Sequence, residues 1–344
     1  MRIAVLVGGA SAERDVSFAT GSAIFRALRA NGHDVVAIDT GEGRVIDSRE
    51  GEKEEGEGGE EGGQLELAAE VGTAPPEVGA LPGDRAGALG SVPLLNETEL
   101  VFVALHGGAG EDGRLQALLD LVGIPYTGSG HLGSALAMDK LVSKELMVRA
   151  GIATPPWLVA PVDGRALEDE LGGFPVVVKP SREGSTVGVT LVRAPDELGA
   201  AIERAAGFAG DVLVEKFIPG RELAVGVLGS QALPIVEILP SHELYDYECK
   251  YTRGRTEYRV PAELSVEVTG RVQSAAEDVH ETLRLSAYSR IDFRLDEAGL
   301  PWCLEANSLP GMTETSLLPK AAEAAGITFN ELCERIAKLA LELE

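Results

Sequence analysis

Ser289-Arg290-Ile291-Asp292-Phe293-Arg294-Leu295, then Asp296-Glu297-Ala298-Gly299, then Leu300-Pro301-Trp302-Cys303-Leu304-Glu305-Ala306-Asn307 is the stretch from which the rest of the chain can be understood. Apolar and polar residues alternate on both sides of a glycine-containing break, which predicts a β-hairpin. With the turn centred on Ala298-Gly299, Asp292 falls opposite Glu305 and Arg290 opposite Asn307. Alternation then puts these four side chains on one face and turns Ile291, Phe293, Leu304 and Ala306 to a core. Carboxylates directly across a ladder repel each other, and a sheet tolerates them when a cation sits between them. The carboxylate oxygens of Asp292 and Glu305 suit a hard divalent ion, Mg²⁺ if a nucleotide phosphate lies nearby. A solvated face holding no ion is the competing interpretation.

Immediately downstream, Ser308-Leu309-Pro310-Gly311-Met312-Thr313-Glu314-Thr315-Ser316 leads into a predicted helix over 317–325. Its first turn, with Ser316 as N-cap and Pro319 early in the helix, offers free N–H groups to an anion such as a carboxylate, although plain capping explains Ser316 equally well. Upstream, Phe174-Pro175-Val176-Val177-Val178-Lys179-Pro180, the small-residue run Ser181–Gly188 and the strand Val189–Val192 form strand, Gly-Ser loop, strand. Such a loop can lay backbone N–H groups over phosphates while Lys179 supplies a fixed cation. An ordinary hairpin with Lys179 in solvent fits the same residues. The apolar strand starting at Val212 ends in Glu215-Lys216-Phe217-Ile218, which could pair with adenine or be a solvated strand end.

No Walker A sequence is present, so a nucleotide would need another architecture. Gly128-Ser129-Gly130-His131-Leu132-Gly133 matches the dinucleotide pattern, but its preceding strand is short and late in its unit, so it is read as a turn into the next helix.

The N-terminal third is predicted as strand 3–7, helix 16–31 ended by Gly32, and strand 34–38, the opening βαβ of an open α/β sheet. Glu50-Gly51-Glu52-Lys53-Glu54-Glu55-Gly56-Glu57-Gly58-Gly59-Glu60-Glu61 has almost nothing apolar to offset its ordering entropy, so a flexible insertion is expected within about 42–90. Strand 100–105, a Gly-rich loop from His106 to Gly113, helix 114–122, strand 124–126, helix 138–150 and strand 175–179 follow. The resulting division is an α/β unit over 1–135 and two α+β units over 136–219 and 220–344.

The chain has 344 residues, 44% of them hydrophobic, enough for more than one core. Its 55 acidic and 30 basic residues give a formal charge of −25, which argues against nucleic acid as partner. Cys249, Cys303 and Cys333 fit neither a disulfide framework nor paired metal ligands, as expected of a reducing cytosol. Met1–Gly9 reads as a first strand rather than a signal peptide, and no uncharged apolar stretch approaches the roughly 20 residues a membrane helix needs.

Several segments together resemble the D-alanine:D-alanine ligases of the ATP-grasp family, over nearly the whole chain outside about 42–95. They are Gly8-Gly9-Ala10-Ser11-Ala12-Glu13-Arg14-Asp15-Val16-Ser17, Ala104-Leu105-His106-Gly107, Gly110-Glu111-Asp112-Gly113 and Ala137-Met138-Asp139-Lys140. Further on come Lys179-Pro180-Ser181-Arg182-Glu183-Gly184-Ser185, Tyr245-Asp246-Tyr247-Glu248-Cys249-Lys250-Tyr251 and Glu305-Ala306-Asn307-Ser308-Leu309-Pro310-Gly311-Met312. The resemblance implies an ATP-grasp fold whose second and third domains clasp ATP. It also implies a cytoplasmic enzyme, a homodimer, that joins two D-alanines for peptidoglycan with ATP and a pair of Mg²⁺ ions, for which Mn²⁺ could substitute.

By the same resemblance, Lys140 and Lys179 hold ATP phosphates, Glu215, Lys216 and Ile218 line the adenine pocket, and Glu222 takes the ribose. Asp292, Glu305 and Asn307 carry the metal. Glu13 receives the first D-alanine's ammonium and joins Ser185 and Tyr251 in a triad that closes loops over the site. Lys250 lies near the γ-phosphate, Arg290 and the Gly311 N–H form the oxyanion hole, and Ser316 with the Leu317 N–H binds the second substrate's carboxylate. His106 lies near the first substrate, though a lone His beside Gly is more often structural.

The acidic insertion and Thr186, where a second serine is common, depart from the family pattern. A depsipeptide ligase taking D-lactate or D-serine is the near rival, against which the Tyr245–Tyr251 segment speaks. A catalytically silent nucleotide-binding regulator is the distant one, against which the joint presence of Arg290, Asp292, Glu305 and Asn307 speaks.

Overall fold

The computed structural model describes residues 1–11, 13–46, 95, 97–241, 254–313 and 315–342. Its first sheet contains β1 (Arg2–Val7), β2 (Asp34–Asp39), β3 (Arg44–Ile46) and β4 (Leu100–Val103), in the order β3-β2-β1-β4. β1 pairs in parallel with β2 and β4, and its residues Ile3 to Val7 are all buried, the continuous apolar run of a strand covered on both faces. Helices α1 (Arg14–Ala30) and α2 (Arg114–Val122) follow β1 and β4. The C-terminal ends of these strands therefore present the Gly8–Gly9 and His106–Gly110 loops on one edge.

β3 lies inside the expected insertion: a tight turn closed by Gly43 N–H to Asp39 O (2.8 Å) lets Val45 pair antiparallel with Ile38. The rest of the insertion lies outside the described residues. The predicted strand 124–126 is only a parallel bridge between Val101 and Tyr126.

The predicted helix 138–150 is present but starts two residues later, and a second helix precedes it. Helix α3 (His131–Met138) stops at Asp139, whose carboxylate accepts from the N–H groups of Leu141 and Val142 and starts α4 (Lys140–Arg149). An N-cap inside an apolar run is a boundary that periodicity alone does not reveal. α3 begins within the Gly128–Gly133 run, so that run is a turn into a helix, as expected.

The second sheet holds β5 (Trp157–Val159), β6 (Val176–Pro180), β7 (Thr190–Val192) and β8 (Val212–Lys216), antiparallel in the order β5-β8-β6-β7, with α5 (Gly164–Ala166) and α6 (Pro195–Ala205) alongside. Val176, Val178, Val212 and Val214 face its core with α6, so alternation sends Val177, Lys179 and Glu215 to the opposite face.

The third sheet is also antiparallel. It contains β9 (Arg221–Leu228), β10 (Gln231–Ala232), β11 (Val236–Pro240), β12 (Thr256–Arg259), β13 (Tyr288–Leu295) and β14 (Pro301–Asn307), in the order β12-β11-β9-β13-β14 with β10 on β9. Helix α7 (Val266–Thr282) covers one face through Val272, Ala276 and Val279. On the other, α8 (Leu317–Ala324) packs over Ala224 and Val236, and α9 (Phe329–Glu342) continues the same apolar cluster to α1 and the first sheet. The C-terminal helix thus ties the first and third sheets together. Cys303 and Cys333 are buried free thiols, and no helix among the described residues is long and apolar enough to cross a membrane.

Candidate active site

The hairpin pairs Asp292 with Glu305 and Arg290 with Asn307, as expected, but by a different route. The turn is centred on Ala298, half a residue earlier than assumed, so Phe293 faces Cys303, and one extra residue, Leu304, restores the expected pairing beyond it. Burial follows this bulge: Cys303 is fully buried where a core Leu304 was expected, and Leu304 instead lines a cleft beside Glu305. Small residues on β9 leave room for the polar side chains, since Arg290 lies beside Gly226 and Asp292 beside Ala224. A Cβ on Gly226 would come within 2.5 Å of Leu318 Cδ1.

The opposed carboxylates are each neutralised by the chain itself. Arg290 grips Asp292 bidentately, with Nε–Oδ1 2.8 Å and Nη2–Oδ2 2.7 Å, and Asn307 Nδ2 donates to Asp292 Oδ2 at 3.2 Å. Lys140, at the start of α4, places Nζ 3.1 Å from Glu305 Oε2 and donates to the Glu183 carbonyl at 2.7 Å. Side-chain cations thus stand beside both carboxylates. Among the described residues no three His, Cys, Asp or Glu cluster as metal ligands. Two carboxylates and an amide still form an oxygen donor set that fits Mg²⁺, which takes one or two protein carboxylates and completes its shell with phosphate and water.

Two cavities meet at this face. One lies between the second and third sheets and is lined by Lys140, Lys179, Glu215, Lys216, Ile218, Glu222, Asp292, Leu304 and Glu305. Within it, Lys179 Nζ lies 3.0 Å from Glu215 Oε1; behind Glu215, outside the cavity lining, Lys144 Nζ lies 2.6 Å from Oε2. Burial pushes the Glu215 carboxyl up, but the two lysines more than offset it and hold it below the usual carboxylate range. Glu222 pairs with Arg294 at 3.1 Å, and Arg294 also donates to the Ile218 carbonyl at 3.0 Å.

The other cavity, of about 300 Å³, is lined by Glu13, His106, Glu111, Gly184, Ser185, Arg290, Asn307, Gly311, Ser316 and Leu317. The Ser185 hydroxyl donates to Glu13 Oε1 and so joins the loop after β6 to the start of α1. Ser185 and Thr186 have φ of 49° and 63°, a left-handed conformation that is costly for β-branched Thr186. Ser316 begins α8, but its hydroxyl does not cap the helix. It accepts from Thr313 N–H at 3.1 Å, and a Cβ on Gly311 would lie 2.9 Å from it.

His106 is buried between Thr20, with Nε2–Oγ1 3.0 Å, and Glu111, with Nδ1–Oε1 3.5 Å. Burial and the nearby Glu13 push the Glu111 carboxyl up, partly countered by His106. Glu111 stands in the Gly110–Gly113 segment, and its separation from His106 by a glycine loop hides the pairing in the sequence. Lys250 and Tyr251 lie outside the described residues.

The family model described as "D-ala D-ala ligase N-terminus" matches residues 2–129, and that described as "D-ala D-ala ligase C-terminus" matches residues 146–338. The chain is 43% identical over 335 residues to a D-alanine–D-alanine ligase of Syntrophotalea carbinolica, covering 97% of this chain and 94% of that one. To the same-named protein of Geobacter sulfurreducens it is 42% identical over 339 residues, covering 97% and 92%. A solved D-alanine–D-alanine ligase from Bacillus anthracis, complexed with ATP, superposes with a TM-score of 0.75 at 32% identity, over 100% of this chain and 97% of that one. With both family models matched and near-complete alignment to these relatives, the chain belongs to the D-alanine–D-alanine ligase family.

Proposed function

We propose that this protein joins two D-alanines into D-alanyl-D-alanine for peptidoglycan, converting ATP to ADP and phosphate through a D-alanyl phosphate. The observation that carries the reading is a single polar hairpin face bordering two cavities, with Asp292 and Glu305 toward one and Arg290 and Asn307 toward the other. A nucleotide in the first cavity and amino acids in the second would meet at that border.

In this reading Glu215, Lys216 and Ile218 receive adenine, Glu222 the ribose, and Lys140 and Lys179 the phosphates. Mg²⁺, when held by Asp292, Glu305 and Asn307, would spread the charge of the transferring phosphoryl group. Glu13 binds the ammonium of the first D-alanine, whose carboxylate oxygen attacks the γ-phosphorus as ADP leaves. Ser316 and the Leu317 N–H orient the second D-alanine by its carboxylate. Its amine attacks the acyl carbonyl, and Arg290 with the Gly311 N–H stabilises the oxyanion before phosphate departs. The Glu13–Ser185 contact closes a loop over an intermediate that water would destroy. Lys250 and Tyr251 would complete the γ-phosphate site and the loop latch.

We take residues 1–135, 136–219 and 220–344 as the three domains, each with its own sheet, and extend the reading to a cytoplasmic homodimer. ADP formation measured with D-alanine, D-lactate and D-serine across pH tests the activity and its specificity. D-alanine-dependent ADP release with dipeptide formation is expected, whereas ADP release without dipeptide would overturn the proposal. Preference for D-lactate would favour the depsipeptide alternative.

A further inference from the structure

Lys144 has no place in the roles above, yet it is one of the largest fully buried side chains in the chain. It projects from α4, and its Nζ lies 2.6 Å from Glu215 Oε2, 2.7 Å from Thr154 Oγ1 and 5.0 Å from the centroid of the Trp157 ring. Glu215 therefore carries a lysine on each oxygen, with Lys179 on Oε1 at 3.0 Å. The lysines differ in access. Lys179 lines the cavity between the second and third sheets, whereas Lys144 stands behind Glu215 and does not line it.

Burying an ammonium is expensive, and an apolar side chain of similar volume commonly serves a core as well or better. Burial is also the leading influence on Lys144 itself, drawing its pKa down to about 8 despite Glu215. The charge therefore needs a reason beyond packing, and charge counting supplies one. Glu215 and Lys179 alone make a neutral pair, which offers little to a polyphosphate, and Lys179 could turn to a phosphate only by stranding a buried carboxylate. With Lys144 behind it, Glu215 stays neutralised and the three groups carry one net positive charge.

We propose that Lys144 is a positioning residue for the nucleotide: it holds Glu215 from behind, fixes it against Lys179, and frees the Lys179 ammonium to serve a phosphate. The inference deepens the ATP-binding reading given above and rests on it.

A charge cycle in the full chain tests it, with affinity for ADP and a non-hydrolysable ATP analogue measured by calorimetry in the presence of Mg²⁺, alongside KM for ATP and for D-alanine. Lys144→Met is expected to weaken nucleotide binding about tenfold, a coupling ordinary for buried charged neighbours, while KM for D-alanine changes less than about twofold. In an E215Q background, where no carboxylate needs neutralising, the same change is expected to cost less than about twofold. Lys144→Gln, which keeps a polar contact to Thr154 but not the charge, serves if Lys144→Met does not fold, with the same pattern expected. Equal losses in both backgrounds, or unchanged nucleotide affinity, would overturn the role of Lys144 alone. An unsubstituted chain that binds no nucleotide would overturn the ATP reading with it.

Discussion

Asp292 faces Glu305 across the β13–β14 ladder one step from where Phe293 faces Cys303, so Leu304 is left without a cross-strand partner. That bulge delivers an apolar side chain to the cavity edge immediately beside a carboxylate. Leu304→Ala is accordingly expected to reduce unfolding free energy by less than about 1 kcal/mol, against the roughly 2–5 kcal/mol of a core Leu→Ala change. Nucleotide affinity should instead fall severalfold from lost apolar contact. Urea denaturation and nucleotide titration read the two effects separately, and a core-sized stability loss would show that Leu304 is packed inside.

Arg290 stands at the border between the cavities, paired with Asp292 and lining the cavity that holds Glu13 and Ser316. Replacing it with Ala removes a planar donor aimed at the proposed oxyanion. Turnover should fall roughly 10²–10³-fold, the usual loss for one such donor. A drop below about tenfold in kcat would count against that role.

The Ser185–Glu13 hydrogen bond joins a loop of the second sheet to the first helix. Ser185→Ala should loosen that closure and admit water to the acyl phosphate, so phosphate release should exceed dipeptide formation where the unsubstituted enzyme keeps them equal. Parallel assays of phosphate and dipeptide measure the ratio. A slower enzyme whose ratio stays at unity would mean that Ser185 orients substrate without excluding water.

Much of this site was legible because sheet alternation has a period of two residues, and a hairpin transmits that period across its turn. Arg290, Asp292, Glu305 and Asn307 could be paired from spacing alone. Leu304 was misplaced because a bulge adds a residue without changing composition, and here a shift of the turn centre to Ala298 compensated for it at the site. The helix before Asp139 escaped because its start lies in the glycine-rich Gly128–Gly133 run, which reads as a turn. Lys144 and Glu111 escaped for another reason: each gains its meaning from a partner brought close by folding, Glu215 from a strand 71 positions away and His106 across a glycine loop. The role of Lys140 came from family resemblance alone, whereas for Lys179, Ser316 and the adenine-side residues local pattern raised the role and left an ordinary structural reading equally open.

His280 of α7 lies buried beneath β13, its Nδ1 2.7 Å from the hydroxyl of buried Ser289, next to the strand residue Arg290. Burial lowers its pKa from 6.5 to about 4. Between those values the unfolded chain binds a proton that the folded chain refuses. The stability this group contributes is therefore complete above about pH 6.5 and is lost as pH falls toward about 4. The interval corresponds to about 3 kcal/mol. His280→Gln retains a polar group for Ser289 without the titration, so subtracting its pH–stability curve from that of the unsubstituted protein cancels the carboxylates common to both. The difference should decline toward low pH across this window, and acid should loosen the strand carrying Arg290 and Asp292 earlier in the unsubstituted protein. A difference that stays flat between about pH 7 and 4 would show that His280 takes up its proton in the folded state as readily as in the unfolded one.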